Sequence, residues 1–204
     1  MLGGVPPESA RATFTGWLGE PLPRQFSVEL LAPRLTALPW LAARRDTTSL
    51  QAFVRRWRAI ARAAGPNVEL RLWALYGEAS GQAYAALAGH DSADALRRFA
   101  GLPDSVCPCL PDRIVTAQIL EAYSKPSEAA DVLERSWPID WQDPAEGLWR
   151  LERARIAERL GQHDKAVQEY RYVADLWRTA DPELRPEVEE ANAALKRLTG
   201  ELRR

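Results

Sequence analysis

Lysine is scarce in this chain. Lys125, Lys165 and Lys196 are the only three among 27 basic residues, so arginine carries almost all the positive charge. Against 28 acids this leaves a net charge of −1, and no global field holds the chain to nucleic acid or to an anionic membrane. Cysteine is scarcer still: Cys107 and Cys109, two in 204 residues, are not a disulfide framework. Histidine is equally thin, with His90 and His163 alone, so nucleophilic catalysis of the Ser-His-Asp kind has no anchor. No run of about 18 apolar residues exists, and no membrane-spanning helix is expected. The opening MLGGVPPESARATF lacks a basic n-region and an apolar h-region, which argues against a secretory signal. With Met1 as the true start, the expected location is cytoplasmic. What remains is ordinary: 46% hydrophobic and 27% charged residues describe a soluble folded chain. Its length suits one domain with a sizeable core or one elongated repeat array.

Residues 1–48 read as an N-terminal cap of short helices and irregular pieces, chopped by prolines at 6, 7, 21, 23, 33 and 39. Leu30, Leu31, Leu35, Leu38, Trp40 and Leu41 provide apolar faces there. From Ser49 to Ala64, Leu50, Phe53, Val54, Trp57, Ile60 and Ala61 fall at spacings of three and four, one face of a helix. Thr48 or Ser49 is the expected cap. GPN at 65–67 ends this helix, and a long one is expected to run to about Ala88. Helix stops recur at Gly89, Ser124 and Gly161. Asp143-Pro144-Ala145-Glu146 reads as a cap, a first-turn proline and a capping-box acid. Asp181-Pro182 opens a last helix over 182–198, with Leu184, Val188, Ala191, Leu195 and Leu198 on one face and Gly200 closing it. No segment alternates like a strand, so the class is all-α.

Three stretches repeat one pattern: LAGHDSADALRRF (87–99), AYSKPSEAADVL (122–133) and RLGQHDKAVQEY (159–170). Each holds a helix end, a turn, then a small residue followed four later by a large one: Ala95/Phe99, Ala129/Leu133 and Ala166/Tyr170. The alanines are 34 and 37 residues apart. A period of about 34 with two helices per unit resembles the tetratricopeptide repeat. The alanine lets paired helices cross closely, and the large residue one turn later fills the groove between units. Ala154 falls on the small position of the last unit's first helix, while Arg150 stands where that family often has Trp, with Trp149 beside it. Units are expected at about 67–103, 104–140 and 141–181, within an array over 49–181. The first unit carries one extra turn residue between Gly89 and Ala95. Residues 182–204 form a capping helix and tail whose outer face carries Glu183, Arg185, Glu187, Glu189, Glu190, Lys196 and Arg197. The expected fold is a tetratricopeptide-like solenoid of antiparallel helix pairs with a C-terminal cap.

The wording of ALRRFAGLPDSVCPCLPDR, LWRLERARIAERLGQHDKAVQEYRYVADLWRTADPEL and ANAALKRLTGE also resembles the C-terminal helical-repeat regions of certain bacterial serine/threonine protein kinases. The match covers roughly residues 30–200 but no kinase domain: the Gly-rich loop, V-A-I-K, H-R-D and D-F-G motifs are missing. The resemblance implies a sensory or scaffold region in signalling rather than chemistry. It also implies an extracytoplasmic location if the chain is a piece of a membrane-anchored relative.

Cys107-Pro108-Cys109 offers at most two metal ligands, and tetrahedral zinc needs three or four. Prolines 103, 108 and 111 make this stretch a connector between units, with the cysteines tucked against Leu102, Val106 and Leu110. His90 and His163 sit at turns. Seven arginines lie within 44–71 against Asp46 and Glu69, but in RRWRAIAR they fall largely opposite Phe53, Trp57 and Ile60, a solvated face rather than a phosphate site. Trp57, Trp73, Trp149 and Trp177 lie in helical stripes and read as core, whereas Trp137 and Trp141 bracket a connector and suit a partner anchor.

In tetratricopeptide arrays the first helix of each unit lines a groove for peptides or partner helices. Carried onto this sequence, that face holds Ala79 and Ala83 in the first unit, Ile114, Gln118 and Glu121 in the second, and Leu151, Arg155, Glu158 and Arg159 in the third. The family's chaperone-tail clamp is not matched, since Val115, Gln118, Glu152 and Arg155 occupy its positions. The bland alternative for Arg155 is pairing with Glu152 or Glu158 on a solvated surface. The expected function is non-catalytic binding of a protein or peptide partner, with no cofactor, no metal and no nucleic acid. A detached regulatory region of a bacterial kinase system is the alternative.

Overall fold

The structure, a computed structural model, describes residues 7–19, 34–103, 106, 109–135 and 145–201. The expectations placed on Leu30 and Leu31 lie outside these residues. Ten α-helices account for most of what is described, and no strand occurs among the described residues. The chain divides into two compact units, Met1–Cys109 and Leu110–Arg204. The division falls within the stretch 101–113. Pro103 follows the last helix of the first unit, and Pro111 occupies the first turn of the next helix, where a missing N–H costs nothing.

The first unit holds α1 (Pro7–Gly19), α2 (Ala37–Ala43), α3 (Thr47–Ala63), α4 (Val68–Ala88) and α5 (Ser92–Ala100). Each helix from α2 to α5 packs on its neighbour in sequence, α2 also reaches α4, and α1 lies on α3. Asp46 caps α3 by accepting from the Ser49 N–H at 3.0 Å, and Asn67 caps α4 by accepting from Leu70 N–H at 3.0 Å. The expected cap, Thr48 or Ser49, is therefore corrected to Asp46, which also takes the Ser49 hydroxyl at 2.9 Å. Aromatics fill the α1–α3 contact: Phe14 and Trp17 each sit 5.9 Å from the Phe53 ring, and Phe53 lies 5.5 Å from Trp57. Phe53 and Trp57 are fully buried. The α3–α4 contact is close because Gly77 and Gly81 face those rings. A Cβ on Gly77 would stand 2.3 Å from Trp57, and one on Gly81 2.9 Å from Phe53.

The second unit holds α6 (Leu110–Ala122), α7 (Pro126–Glu134), α8 (Glu146–Arg159), α9 (His163–Leu176), a short 3₁₀ turn (Pro182–Leu184) and α10 (Arg185–Glu201). Sequence neighbours pack pairwise, and α6 also meets α8. One core joins Leu151, Ala154 and Ala157 of α8, Ala166, Tyr170 and Val173 of α9, and Ala191, Ala194 and Leu198 of α10. So α10 covers the α8–α9 pair with the face expected of it, burying Ala191 and Leu198 fully and Val188 and Leu195 in part, while Leu184, half-buried, lies in the 3₁₀ turn before it. Gly200 does not close α10; it lies inside the helix, away from the left-handed region. Asp143 and Pro144 lie outside the described residues, and Glu146 is the first residue of α8 rather than its third.

One turn geometry recurs four times. Arg45, His90, Ser124 and Gly161 have φ of 54°, 66°, 58° and 70°. In each case the next residue's N–H bonds back to a carbonyl of the preceding helix: Asp46 to Leu41, Asp91 to Ala86, Lys125 to Leu120 and Gln162 to Ala157, at 2.8–3.0 Å. This is the Schellman closure, and so short a turn between packed helices makes them antiparallel. Counting five residues on from each left-handed residue reaches a buried one: Leu50, Ala95, Ala129 and Ala166. Two expectations change. The turn residue of the first expected unit is His90, not Gly89, whose φ is −83°, so no extra residue separates turn and alanine. The Arg45 turn adds a fourth member, joining α2 to α3 at residues assigned to an irregular cap. All six residues of the Ala95/Phe99, Ala129/Leu133 and Ala166/Tyr170 pairs are buried.

Candidate functional site

The first helix of each pair in the second unit, α6 and α8, carries most of the expected groove residues. Ile114 and Leu151 are not available to a partner: both are buried, Leu151 at 1% exposure. Their place in the apolar stripe of the helix wins over their place on the groove face. The polar candidates meet one another. Gln118 donates to Glu152 at 3.3 Å, and Arg159 pairs with Glu121 at 2.6 Å. Arg155 grips both oxygens of Glu190 on α10, at 2.7 and 2.6 Å, and reaches buried Glu152 at 3.1 Å. Arg155 therefore holds the Glu190 carboxyl below the ordinary carboxylate range. Glu158 accepts from the Tyr170 hydroxyl at 3.0 Å and pairs with Arg197 of α10. Glu190 and Arg197 consequently face α8 and do not belong to the outer face of the cap. The bidentate Arg155–Glu190 geometry is the strong form of such a pair, and it spends the charge of this surface within the unit.

On the opposite side of α8, Glu169 is buried between two guanidiniums, 3.1 Å from Arg150 and 3.2 Å from Arg153. Both arginines also lie over the Trp149 ring, whose N–H donates to the Leu133 carbonyl. Trp177 covers Gly147 so closely that a Cβ there would stand 2.2 Å away. Trp149 and Trp177 thus serve packing, as Trp57 does. Trp73 is half-buried near Tyr76. Trp137 and Trp141 lie outside the described residues, as do Cys107 and Pro108. Cys109 is disulfide-bonded and half-buried. His90 and His163 are exposed, and among the described residues no group of three His, Cys, Asp or Glu side chains is placed to hold a metal.

The first unit differs. Ala83 is buried and Ala79 half-buried, but the same helix exposes Val68 at 56%, Leu72 at 46% and Leu75 at 50%. These three follow the i, i+4, i+7 spacing of one helix face, and Ala79 extends it. Three other large hydrophobic side chains are comparably exposed among the described residues: Tyr172 and Leu176, one turn apart on α9, and Tyr123, just past the end of α6. Sequence reasoning missed this row because α4 is apolar on its buried side too, through Leu70, Ala74 and Tyr76; periodicity alone does not say which apolar stripe faces out. Beside it, α3 presents Gln51, Arg55, Arg58 and Arg62 on its solvent side, and Arg58 bonds Glu78 of α4 at 2.8 Å. No protein-family model, curated protein or solved structure matches the chain significantly, and no helix among the described residues is long and apolar enough to cross a membrane.

Proposed function

We propose that this chain is a non-catalytic helical-repeat protein of tetratricopeptide type that binds a protein or peptide partner, and that the first unit makes the contact. The exposed row Val68, Leu72 and Leu75 carries the reading. Three large aliphatic side chains in one line, each about half exposed, form the kind of contiguous apolar patch that marks an interaction surface. Scattered exposure would not. The row lies on the first helix of its pair, the helix that the repeat resemblance assigns to the groove. The Arg155–Arg159 surface is the weaker candidate, because its charges are already paired with Glu190, Glu152 and Glu121.

The test is affinity capture from the native cells with the wild-type chain, a Leu72→Glu/Leu75→Glu variant and an Arg155→Glu/Arg159→Glu variant, followed by reconstitution of any captured protein from purified components. A partner retained by wild type and the arginine variant but lost with the leucine variant supports the reading. A partner indifferent to the leucine variant overturns it. Circular dichroism on each variant confirms that the helices are intact.

A further inference from the structure

We infer that the first unit's partner is an acidic amphipathic helix, seated along α4 with its acidic flank turned toward α3. This rests on the partner-binding reading and names the chemistry of the partner. The face of α4 that carries the row does not end at Leu75. At the same spacing it continues through Ala79 to Gln82 and Ala86, a length of about 27 Å along the helix. Gln82 and Ala86 then border an open depression of about 390 Å³ between α3, α4 and α5, with Val54 on its apolar side and Arg55, Asp94 and Arg98 also lining it. A ridge of aliphatic side chains running into a hollow suits a helix with one anchoring side chain. A flat membrane surface does not need the hollow.

Charge selects the sign of the partner. On the flank of the row that faces α3, Arg58 bonds Glu78, and Arg98 bonds Asp94 at 2.6 Å and Gln82 at 2.7 Å. Arg55, Arg62 and Arg71 are exposed, and among the described residues no carboxylate pairs with them. The register that sets Arg58 against Glu78 puts Arg62, one turn on, alongside the α4 turns that carry Arg71 and Leu75. Glu69, an exposed acid at the start of the row, lies on its other flank. The surface is therefore apolar along its crest from Val68 to Ala79, with exposed arginines on the flank toward α3. A helix with leucine-type residues on one face and Asp or Glu along one edge complements both features. The arginine run at 55–62, which reads as a solvated face in sequence, gains a role in this arrangement.

The probe is a labelled synthetic peptide about five helical turns long, with leucines on one face and glutamates along the flanks. Its counterpart carries lysines in place of the glutamates. Fluorescence anisotropy with the purified full chain is expected to show binding of the acidic peptide, weakened by about tenfold or more in Arg62→Glu/Arg71→Glu and abolished in Leu72→Glu. The lysine peptide is expected to bind at least tenfold more weakly. Equal binding of both peptides, indifferent to the arginine reversal but lost in Leu72→Glu, overturns the acidic preference and leaves partner binding standing. Failure of both peptides, together with a cellular partner indifferent to Leu72→Glu, overturns both readings. Sedimentation with phosphatidylserine-containing vesicles but no peptide binding also overturns the inference, in favour of an anionic membrane surface.

Discussion

Gly77→Ala is the sharpest test of how the first unit is packed. In an isolated helix the change would stabilise by about 1 kcal/mol, since alanine costs less backbone entropy than glycine. Here the added methyl would meet Trp57 Cε3 at 2.3 Å, Cδ2 at 2.4 Å and Cζ3 at 2.7 Å, against an optimum near about 3.5–4.0 Å. The ring cannot step aside cheaply: Trp57 is fully buried and packs on Phe53. Either α3 and α4 separate by more than about 1 Å or the indole leaves its rotamer, and overpacking of this kind costs about 1–3 kcal/mol or more. The upper end applies, and after subtracting the helix gain a net loss of about 2 kcal/mol is expected. Urea unfolding followed by tryptophan fluorescence and circular dichroism measures it. Two controls isolate the cause. Gly16→Ala, whose Cβ would meet nothing within 4 Å, is expected to be neutral or slightly stabilising. In a Trp57→Leu background, where the aromatic ring is gone, Gly77→Ala is expected to cost less than in the wild type. A Gly77→Ala protein at least as stable as the wild type would refute the packing described for α3 and α4.

Other consequences follow from the same structure. Gly147→Ala is expected to destabilise the second unit for the corresponding reason, its Cβ falling 2.2 Å from Trp177, read as a lower urea midpoint. Ser124→Gly is expected to stabilise by about 1 kcal/mol, because Ser124 holds a left-handed φ of 58° that glycine adopts freely, while Gly161→Ala, at φ 70°, is expected to cost a similar amount. Asn67→Ala removes the α4 cap and is expected to cost about 1 kcal/mol. Arg155 depresses the Glu190 carboxyl below its ordinary 4.5, so the pair's contribution is fully present above pH 4.5 and is lost as pH falls through the lower folded value. Glu190→Gln is expected to flatten the acid limb of the stability–pH curve below that point, by about 1 kcal/mol or less because the pair is partly solvated; an unchanged acid limb would contradict the pairing.

The features legible in the sequence are those written within one helix pair. Ala95 with Phe99, Ala129 with Leu133 and Ala166 with Tyr170 sit four apart on one helix, and a spacing rule finds them. The α10 face follows from the same rule. What escaped depends on a second element. Gly77 and Gly147 look like helix weaknesses until Trp57 and Trp177 are placed against them. Arg155 looks like a free groove cation until Glu190, on another helix, accepts from two of its nitrogens. Arg45 carries no turn signal by type, since arginine rarely takes a left-handed φ, yet its turn is closed by the same bonds as the one at Gly161. Leu72 and Leu75 belong to a helix apolar on both sides, and only packing tells which side is covered.

The central claim is that the first unit, through α4, meets the partner. Placing a photoreactive amino acid at Leu72 in one protein and at Gln118, an exposed position of the α6 face, in another tests it most directly in the native cells. The account predicts a discrete protein adduct from position 72, suppressed by excess unlabelled wild-type chain, and none from position 118. An adduct from position 118 with none from position 72 would contradict it and return the contact to the second unit.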